Sequence, residues 1–399
     1  MLKCRQSGQE LKSKGITFAM RVLMINASQI FYTHSPSVPL GTLAVSSYLT
    51  ENGHTVRLED RCIKRRSIKG LIDEFRPDAA GISFMSFASI KDGLHVARIL
   101  KKAGIPVIAG GNCASSIWGE LIREDCIDYI SVGEGEISFS QCLDIISGII
   151  RPQAVPGIAY MKDGEPVKND EAEFCSLEKF PEMDWKLINP ADYFQHYIEC
   201  SKMLYVYSGK GCPGKCAFCY NKQYNRCKYR ARPVEKVVNE IEYLVNQVGA
   251  DGIYFSDEIW YPDKRMMHSF CEEVKKRKLK FVWGCQTRVD VFGEEDYKLM
   301  YECGCRWIFF GVESGCESVL ERMNKGICLE ETRNAVSLCK SAGITAIASF
   351  VIGYIDETKE EFRQTVEFAK ELDANITTMS ILIPFPNTDV YTYAVEKGY

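Results

Sequence analysis

Gly211-Cys212-Pro213-Gly214-Lys215-Cys216-Ala217-Phe218-Cys219-Tyr220 follows the apolar run Leu204-Tyr205-Val206-Tyr207. Three cysteines, separated by three and then two residues, lie in a loop carrying a proline and two glycines. Such a loop after a strand lets three sulfurs turn to one side. Thiolates are the soft ligands of iron–sulfur clusters and of zinc. Three ligands on a four-iron cluster leave one iron open to a substrate or cofactor. Zinc would need a fourth ligand, for which Cys227 is the candidate. A metal-free structural role is the remaining reading.

Downstream of this loop the chain alternates between two periods. Strands are predicted at Leu204–Tyr207, Gly252–Phe255, Phe281–Cys285, Trp307–Gly311, Ala346–Ile352 and Thr377–Ile383. Helices are predicted at Val234–Val248, Lys264–Lys276, Glu294–Glu302, Glu330–Ala342 and Lys359–Leu372. This series is too short for an eight-fold barrel and fits a partial (β/α)6 one, whose chemistry belongs on the loops after the strands. Upstream, strands are predicted at Val22–Ile25, Thr55–Leu58, Ala79–Phe84, Pro106–Ala109 and Tyr129–Val132. Helices are predicted between them at Leu40–Glu51, Ile68–Phe75, Ile90–Ala103, Ile117–Glu124 and Ser138–Ile146. That series predicts an α/β domain with a doubly wound parallel sheet.

Four regions result: a leader over 1–20, a first domain over 21–150, a linker over 151–200 and the partial barrel over 201–399. Met20, just before the first strand, is an alternative start. The linker carries five prolines and a hairpin turn at Lys162-Asp163-Gly164-Glu165. The end at Gly398-Tyr399, in a helical stretch, reads as a short or cut C-terminus.

Composition narrows the classes further. Of 399 residues, 46% are hydrophobic and 26% charged, which suits a soluble protein with ample core. A net charge of -4 gives no global signal for nucleic acid. The runs Lys64-Arg65-Arg66 and Lys275-Lys276-Arg277-Lys278 read as solvated helix ends or loops. No apolar run is long enough for a membrane span, and no export signal opens the chain. Eighteen cysteines without an export signal predict a reducing cytoplasm, with the scattered ones as buried apolar fillers. Five histidines make a histidine-based metal site unattractive, and His34, His54 and His95 read as satisfied residues.

The cysteine spacing, Phe218 before the last cysteine and the partial barrel resemble the radical S-adenosylmethionine (SAM) superfamily. The resemblance implies that Cys212, Cys216 and Cys219 hold a [4Fe-4S] cluster whose open iron is chelated by SAM. One-electron reduction then cleaves SAM to a 5'-deoxyadenosyl radical that takes hydrogen from a substrate. Other strand ends carry the likeness. Phe255-Ser256-Asp257-Glu258-Ile259-Trp260 is similar to F-x-D-D-x-F, with Glu258 and Trp260 for the commoner Asp and Phe. Arg288 follows the third strand, in reach of a SAM carboxylate or a neighbouring acid. Gly311-Val312-Glu313-Ser314 is similar to a G-x-E-S segment lying against SAM. Gly353-Tyr354-Ile355-Asp356-Glu357-Thr358 departs from G-x-P-G-E-T at the proline and second glycine. Pro384-Phe385-Pro386-Asn387-Thr388 has Asn387 for the glycine of P-x-P-G-T. The resemblance therefore assigns Phe218, Asp257, Glu258, Arg288, Gly311, Glu313, Gly353 and Pro384 to SAM. Singly, Asp257, Glu258 and Arg288 read equally well as ion pairs or loop caps. Gly311 and Gly353 read equally well as tight-turn glycines.

Residues 21–147 resemble the flavodoxin/Rossmann-like cobalamin-binding domain that precedes many radical SAM barrels. The resemblance assigns Leu40, Gly41, Ser83, Ser86, Gly110, Gly111, Asn112, Gly133, Glu134 and Gly135 to cobalamin, with the strand-end glycines admitting a planar ring close to the backbone. D-x-H-x-x-G is absent, which implies a histidine-off cofactor. The alternative is a domain that has lost its ligand. In the family cobalamin is sandwiched between the two domains, facing SAM. The implied activity is methyl transfer to an unactivated carbon of a small molecule, with flavodoxin or ferredoxin as electron donor. A cobalamin-dependent radical cyclase, and a non-catalytic corrinoid or zinc protein, stand as alternatives. A methylthiotransferase would carry a second cluster triplet, whereas residues 21–150 hold scattered Cys62, Cys113, Cys126 and Cys142.

Overall fold

The computed structural model describes residues 19–29 and 37–399. Nearly all of the expected leader, and His34, lie outside the described residues. The chain divides into two compact units, Met1–Tyr193 and Phe194–Tyr399.

The first unit is built on five parallel strands: β1 (Arg21–Asn26), β2 (Thr55–Asp60), β3 (Ala79–Ser83), β4 (Val107–Gly110) and β5 (Tyr129–Ser131). Their order, β2-β1-β3-β4-β5, is the flavodoxin-like doubly wound arrangement, which reverses direction between β1 and β3. β1 is buried from Val22 to Asn26 because helices cover both faces of the sheet, so it reads as a continuous apolar run. The helix Ile68–Phe75 shows the local logic. The Ser67 hydroxyl accepts from the Gly70 amide at 3.3 Å, Ile68, Leu71 and Phe75 face the core, and left-handed Arg76 ends it. His54 is a buried core residue whose Nδ1 accepts from the Met20 amide.

Two expectations need correction here. The helix predicted at Ile117–Glu124 is only the short turn Trp118–Leu121, and another short turn, Asn112–Ser116, precedes it. Gly111, at φ 96°, starts the earlier turn, and Ile117, at φ -118° and ψ 33°, breaks the run between them. The stretch 151–200 is not a free linker. β6 (Ile158–Lys162) and β7 (Glu165–Lys168) form the expected hairpin, with Asp163 at φ 52° and Gly164 at φ 85° in the two-residue turn. β6 then pairs antiparallel with β5 and extends the sheet to seven strands. Three short 3-10 turns follow, up to Tyr193. The Tyr193 phenol donates to Asp60 at 3.0 Å, beside the Asn26 amide, which donates to the same carboxylate at 2.9 Å.

The second unit opens with β8 (Gln195–Tyr197), antiparallel to β9 (Cys200–Val206). The short strands β10 (Gly209–Lys210) and β11 (Arg230–Ala231) form a separate ribbon. Beyond them β12 (Gly252–Phe255), β13 (Val282–Thr287), β14 (Cys305–Glu313), β15 (Thr345–Ile352) and β16 (Ile376–Ile381) line up in chain order, parallel to one another and to β9. Six parallel strands with alternating helices make the curled half-barrel expected from the sequence. The helices Lys264–Arg277, Glu294–Glu302, Leu329–Ser341 and Lys359–Glu371 keep the expected bounds within a residue or two. The first helix is α-helical only over Val234–Tyr243 and finishes in a π turn, Leu244–Val248, before left-handed Gly249. Trp260, Trp283, Phe255 and Phe270 pack edge-to-face or tilted beneath the strand ends, giving the barrel a rigid aromatic floor. Among the described residues, no helix is long and apolar enough to cross a membrane.

Candidate functional site

The cysteine loop leaves the sheet at the end of β9 and returns through the ribbon of β10 and β11. The Arg232 amide donates to the Ser208 carbonyl at 2.8 Å and closes the neck. Gly211 has φ 88°, and a side chain there would collide with the Lys228 carbonyl, so the strands of the neck touch through a glycine. Inside the loop the Asn221 side chain accepts from the Cys212 amide at 3.0 Å and donates to the Cys212 carbonyl at 2.7 Å. The outer side is tied to later parts of the barrel. The Ala217 amide donates to Met323, the Asn324 side chain to Lys215, and the Val390 amide to Ala217. Phe218 is half-buried against Cys316, Val319, Met323, Tyr354 and Val390 and anchors the loop by apolar contact.

Within this frame the three thiols lie near enough to act on one another electrostatically, while among the described residues no group of three His, Cys, Asp or Glu side chains stands as a ready metal site. A Cβ on Gly214 would stand 3.3 Å from the Cys212 sulfur and 3.8 Å from the Cys216 sulfur, so both sulfurs lean over the same glycine. The Gly214 amide donates to the Cys212 sulfur at 3.3 Å, a contact of the kind that tunes cluster sulfurs. Burial pushes all three thiols up, to about 11 for Cys219; Cys216 also raises Cys212 and Cys219, Cys212 raises Cys219, and Glu313 raises Cys216. Lys325 works in the opposite direction on all three, and Arg288 on Cys212 and Cys216. Three neighbouring thiols, two of them over a glycine cradle, with Lys325 and Arg288 beside them, are the donor set of a cluster that carries net negative charge on thiolates. The charged groups that act on the three thiols include Arg288, Lys325 and Glu313. Cys227, the candidate for a fourth zinc ligand, lies in the returning limb in a left-handed turn at φ 52°.

The acidic and basic residues at the strand ends have well-defined partners. Asp257 is buried, and its carboxylate accepts from the Ser208 amide, the Ser208 hydroxyl and the Gly209 amide at 2.6–3.0 Å. Burial outweighs these donors and pushes its pKa up to about 7. Glu258 accepts from the Gly211 amide at 3.0 Å and from the Asn225 side chain at 3.2 Å. Arg288 donates to the Lys325 and Gly326 carbonyls at 2.8 and 2.9 Å and forms a two-pronged pair with Asp290. Glu313, left-handed at φ 67° on an irregular stretch of β14, pairs with buried Lys325 at 2.6 Å. Burial works against the Lys325 ammonium, but Glu313 and Cys216 outweigh it and hold its pKa above the usual value. Gly311 is glycine because a Cβ would meet Glu313 Oε1 at 2.6 Å and Lys325 Nζ at 2.9 Å.

The two departures at the later strand ends leave the turns intact. Asp356 adopts φ 62° where the family pattern has its second glycine, and Asn387 adopts φ 69°. The Gly353 amide donates to Glu357 at 2.7 Å, while half-buried Pro384 stands between β16 and the helix Asp389–Lys397, which Thr388 caps.

In the first unit the assigned residues lie on the loops that follow β1, β3, β4 and β5, along one edge of the sheet. Ser83 ends β3 between Asn26 and Gly110. The Ser86 hydroxyl donates to the Gln29 side chain at 3.2 Å. Gly110 ends β4, and Asn112 opens the turn whose carbonyl receives the Ser116 hydroxyl. Gly41, in the first turn of Leu40–Glu51, and Gly133, at φ 87°, have open space where a Cβ would sit. Gly111 and Gly135 do not. A Cβ on Gly111 would stand 2.7 Å from the Phe84 carbonyl, and one on Gly135 would stand 2.9 Å from Val45. A Cβ at either glycine would crowd the protein's own packing, so each has a structural reason to be glycine besides the expected approach of a ring. Glu134 leads into the helix Gly135–Ile146, its carbonyl accepting from the Ser138 hydroxyl.

Comparison with known proteins gives the same division. The Radical SAM superfamily model matches residues 206–369 and the B12 binding domain model matches residues 32–143. An uncharacterized methyltransferase of Pyrococcus horikoshii is 30% identical over 368 residues, covering 90% of this chain and 79% of that protein. The chain belongs to the radical SAM superfamily. An anaerobic magnesium-protoporphyrin IX monomethyl ester cyclase of Rubrivivax gelatinosus is 27% identical, over 90% of this chain and 66% of its own length. The radical SAM methyltransferase TsrM of Kitasatospora setae, solved with cobalamin and a [4Fe-4S] cluster, shares the fold at a TM-score of 0.80 and 19% identity, over 95% of this chain and 78% of that one. The chain thus spans two thirds to four fifths of these proteins.

As a radical SAM enzyme with a B12-binding domain, this chain has a [4Fe-4S] cluster, SAM and cobalamin as its cofactors. The structure brings Cys212, Cys216, Cys219, Arg288 and Glu313 to one place and adds Lys325, which the sequence reading missed. Its run Glu321-Arg322-Met323-Asn324-Lys325-Gly326 looks like an exposed, charged helix end, and nothing in it announces a buried ammonium. Asn221 and Asn225 were also missed, and the spacing of two amides four residues apart after the last cysteine was the available signal.

Proposed function

We propose that this radical SAM enzyme transfers a methyl group to an unactivated carbon of a small molecule. The observation that carries the proposal is the cysteine loop, with the Cys212 and Cys216 sulfurs over Gly214 and Cys219 within their electrostatic reach, fixed at its neck and its outer side, on a chain that also carries a B12-binding domain. The bound cluster, SAM and corrinoid supply hydrogen abstraction and the methyl group. The chain's own residues hold and shape the site. Cys212, Cys216 and Cys219 ligate iron, the Gly214 amide steadies the Cys212 sulfur, and Lys325 with Arg288 offsets the charge gathered on the sulfurs. Gly311, Glu313, Gly353 and Pro384 form the wall for SAM at the ends of β14, β15 and β16. Leu40, Gly41, Ser83, Ser86, Gly110, Asn112, Gly133 and Glu134 form the edge for cobalamin. A low-potential donor such as flavodoxin or ferredoxin, in the cytoplasm, completes the proposal.

Anaerobic reconstitution with iron, sulfide and cobalamin, followed by SAM labelled in its methyl group, tests the reading. Iron and sulfide that load onto the wild type and not onto Cys216→Ala, with label appearing in a product, are expected. Equal loading of both proteins overturns it. The cyclase relative at 27% identity supports a second reading, a radical cyclase. Formation of 5'-deoxyadenosine with no label in the product would favour that one.

A further inference from the structure

The radical SAM resemblance assigns Asp257 and Glu258 to SAM, but the polar groups around them point elsewhere. All four of their carboxylate oxygens already accept hydrogen bonds, and every donor lies on the neck of the cysteine loop. Asp257 takes the entering limb at Ser208 and Gly209, four and three residues before the first cysteine. Glu258 takes the same limb at Gly211, next to Cys212, and reaches the returning limb through Asn225. The two carboxylates are themselves fixed from below. The Trp260 amide donates to the Gln286 carbonyl at 2.9 Å, and the Gln286 side chain donates to the Asp257 carbonyl.

We propose that Asp257 and Glu258 form a collar on the neck of the cluster loop and act as positioning residues for the cluster, not as SAM ligands. The proposal rests on the cluster reading above. The loop needs such a collar because its neck holds few bonds of its own. The ribbon is two residues long on each side, and Gly211 contributes no side chain. A neck free to shear would move Cys212 against Cys216 and Cys219, and three-point ligation tolerates little such movement. Carboxyl oxygens suit the task because each can accept more than one hydrogen bond, as Asp257 Oδ1 does from Ser208 and Gly209. Two adjacent acids are otherwise unfavourable, since burial and then Glu258 raise the Asp257 pKa.

Glu258 is the residue to test, because it is half-buried and its two partners differ in kind. Glu258→Ala is expected to leave the melting of the metal-free protein unchanged. Once reconstituted, it should lose iron to a chelator about 10- to 100-fold more readily, as outer-shell substitutions do. The EPR signal of its reduced cluster should broaden. Glu258→Gln places an amide against the Asn225 amide, and the added change Asn225→Asp restores a donor–acceptor match. The double variant should recover iron retention and the wild-type EPR line, a rescue that general loosening of the fold would not give. If Glu258→Ala melts early, the decision rests on the other pair: recovery in the double variant supports the collar, and no difference between single and double overturns it. Wild-type iron retention and EPR in Glu258→Ala also overturn it. Failure of the wild type to bind a cluster would instead count against the cluster reading itself.

Discussion

The strand-end loops of the two units handle the same kind of residue differently. In the half-barrel the motif residues turn toward the protein: Asp257, Glu258 and Arg288 bind loop backbone, and the thiols are held by what those contacts fix. In the doubly wound unit the assigned glycines divide into two sorts. Gly41 and Gly133 face open space, whereas Gly111 and Gly135 are pressed against Phe84 and Val45. A cluster is gripped by side chains, so its site can be read from residue types. A planar ring is admitted by backbone shape, and a glycine that makes room for a ligand looks the same in sequence as one that makes room for a phenylalanine carbonyl.

Breaking the thiolate site should have the largest effect. Cys216→Ala should abolish the cluster while leaving cobalamin uptake intact, read as iron content against corrinoid absorbance. Loss of both together would deny that the two units carry separate sites. Next comes the buried pair. Lys325→Met leaves Glu313 without its cation at 12% exposure and should destabilise the metal-free protein by about 3–5 kcal/mol. Adding Glu313→Gln should recover most of that in denaturant unfolding. Gly111→Ala should cost about 1–3 kcal/mol, because its φ of 96° is left-handed and Phe84 blocks the space. Gly133→Ala, with room for a Cβ, should cost less in stability and more in cobalamin affinity. That contrast separates a packing glycine from a ligand glycine.

Asp257 gives a pH test. Burial pushes its pKa from 3.8 up to about 7, so the folded chain favours the neutral acid. The stability this contributes is complete below 3.8 and is lost as pH rises to about 7. The unfolding free energy of the metal-free wild type, taken relative to Asp257→Asn, should fall across that window and level off above it. A flat difference would mean the carboxylate is ionised throughout. The smallest effect is expected at Gly41→Ala, in an open first turn, where stability should change by less than about 1 kcal/mol and in the favourable direction. A fall in cobalamin affinity there would place the ring at this helix start, and no change would remove Gly41 from the edge.

Much of the fold was legible because its helices are long, amphipathic and flanked by turn residues. Leu40–Glu51, Ile68–Phe75 and Glu294–Glu302 run between the very residues that the periodicity marked. The misses share a cause, which is that local pattern carries no record of what a segment touches. The hairpin of β6 and β7 was visible in Asp163-Gly164, but its pairing with β5 depends on residues some thirty positions earlier. The break at Ile117 follows from a helical turn started by left-handed Gly111. Lys325 was invisible because a lysine near a helix end is ordinarily solvated, and only Glu313 and Cys216 together make burial tolerable. Asp257 and Glu258 stood out correctly as important residues. Their partners were not legible, since a carboxylate that binds a cofactor and one that binds an amide have the same spacing.

The seam between β5 and β6 bears on how the molecule can be divided. A fragment ended at Ile150 would expose a row of unpaired amides and carbonyls along Tyr129–Ser131, inviting neighbouring chains to add strands there and precipitate. Extending the same fragment to Tyr193 covers that row and keeps the phenol seated on Asp60. Forty-odd residues that read as tether are therefore the selvedge of the sheet, and severing them would fray it.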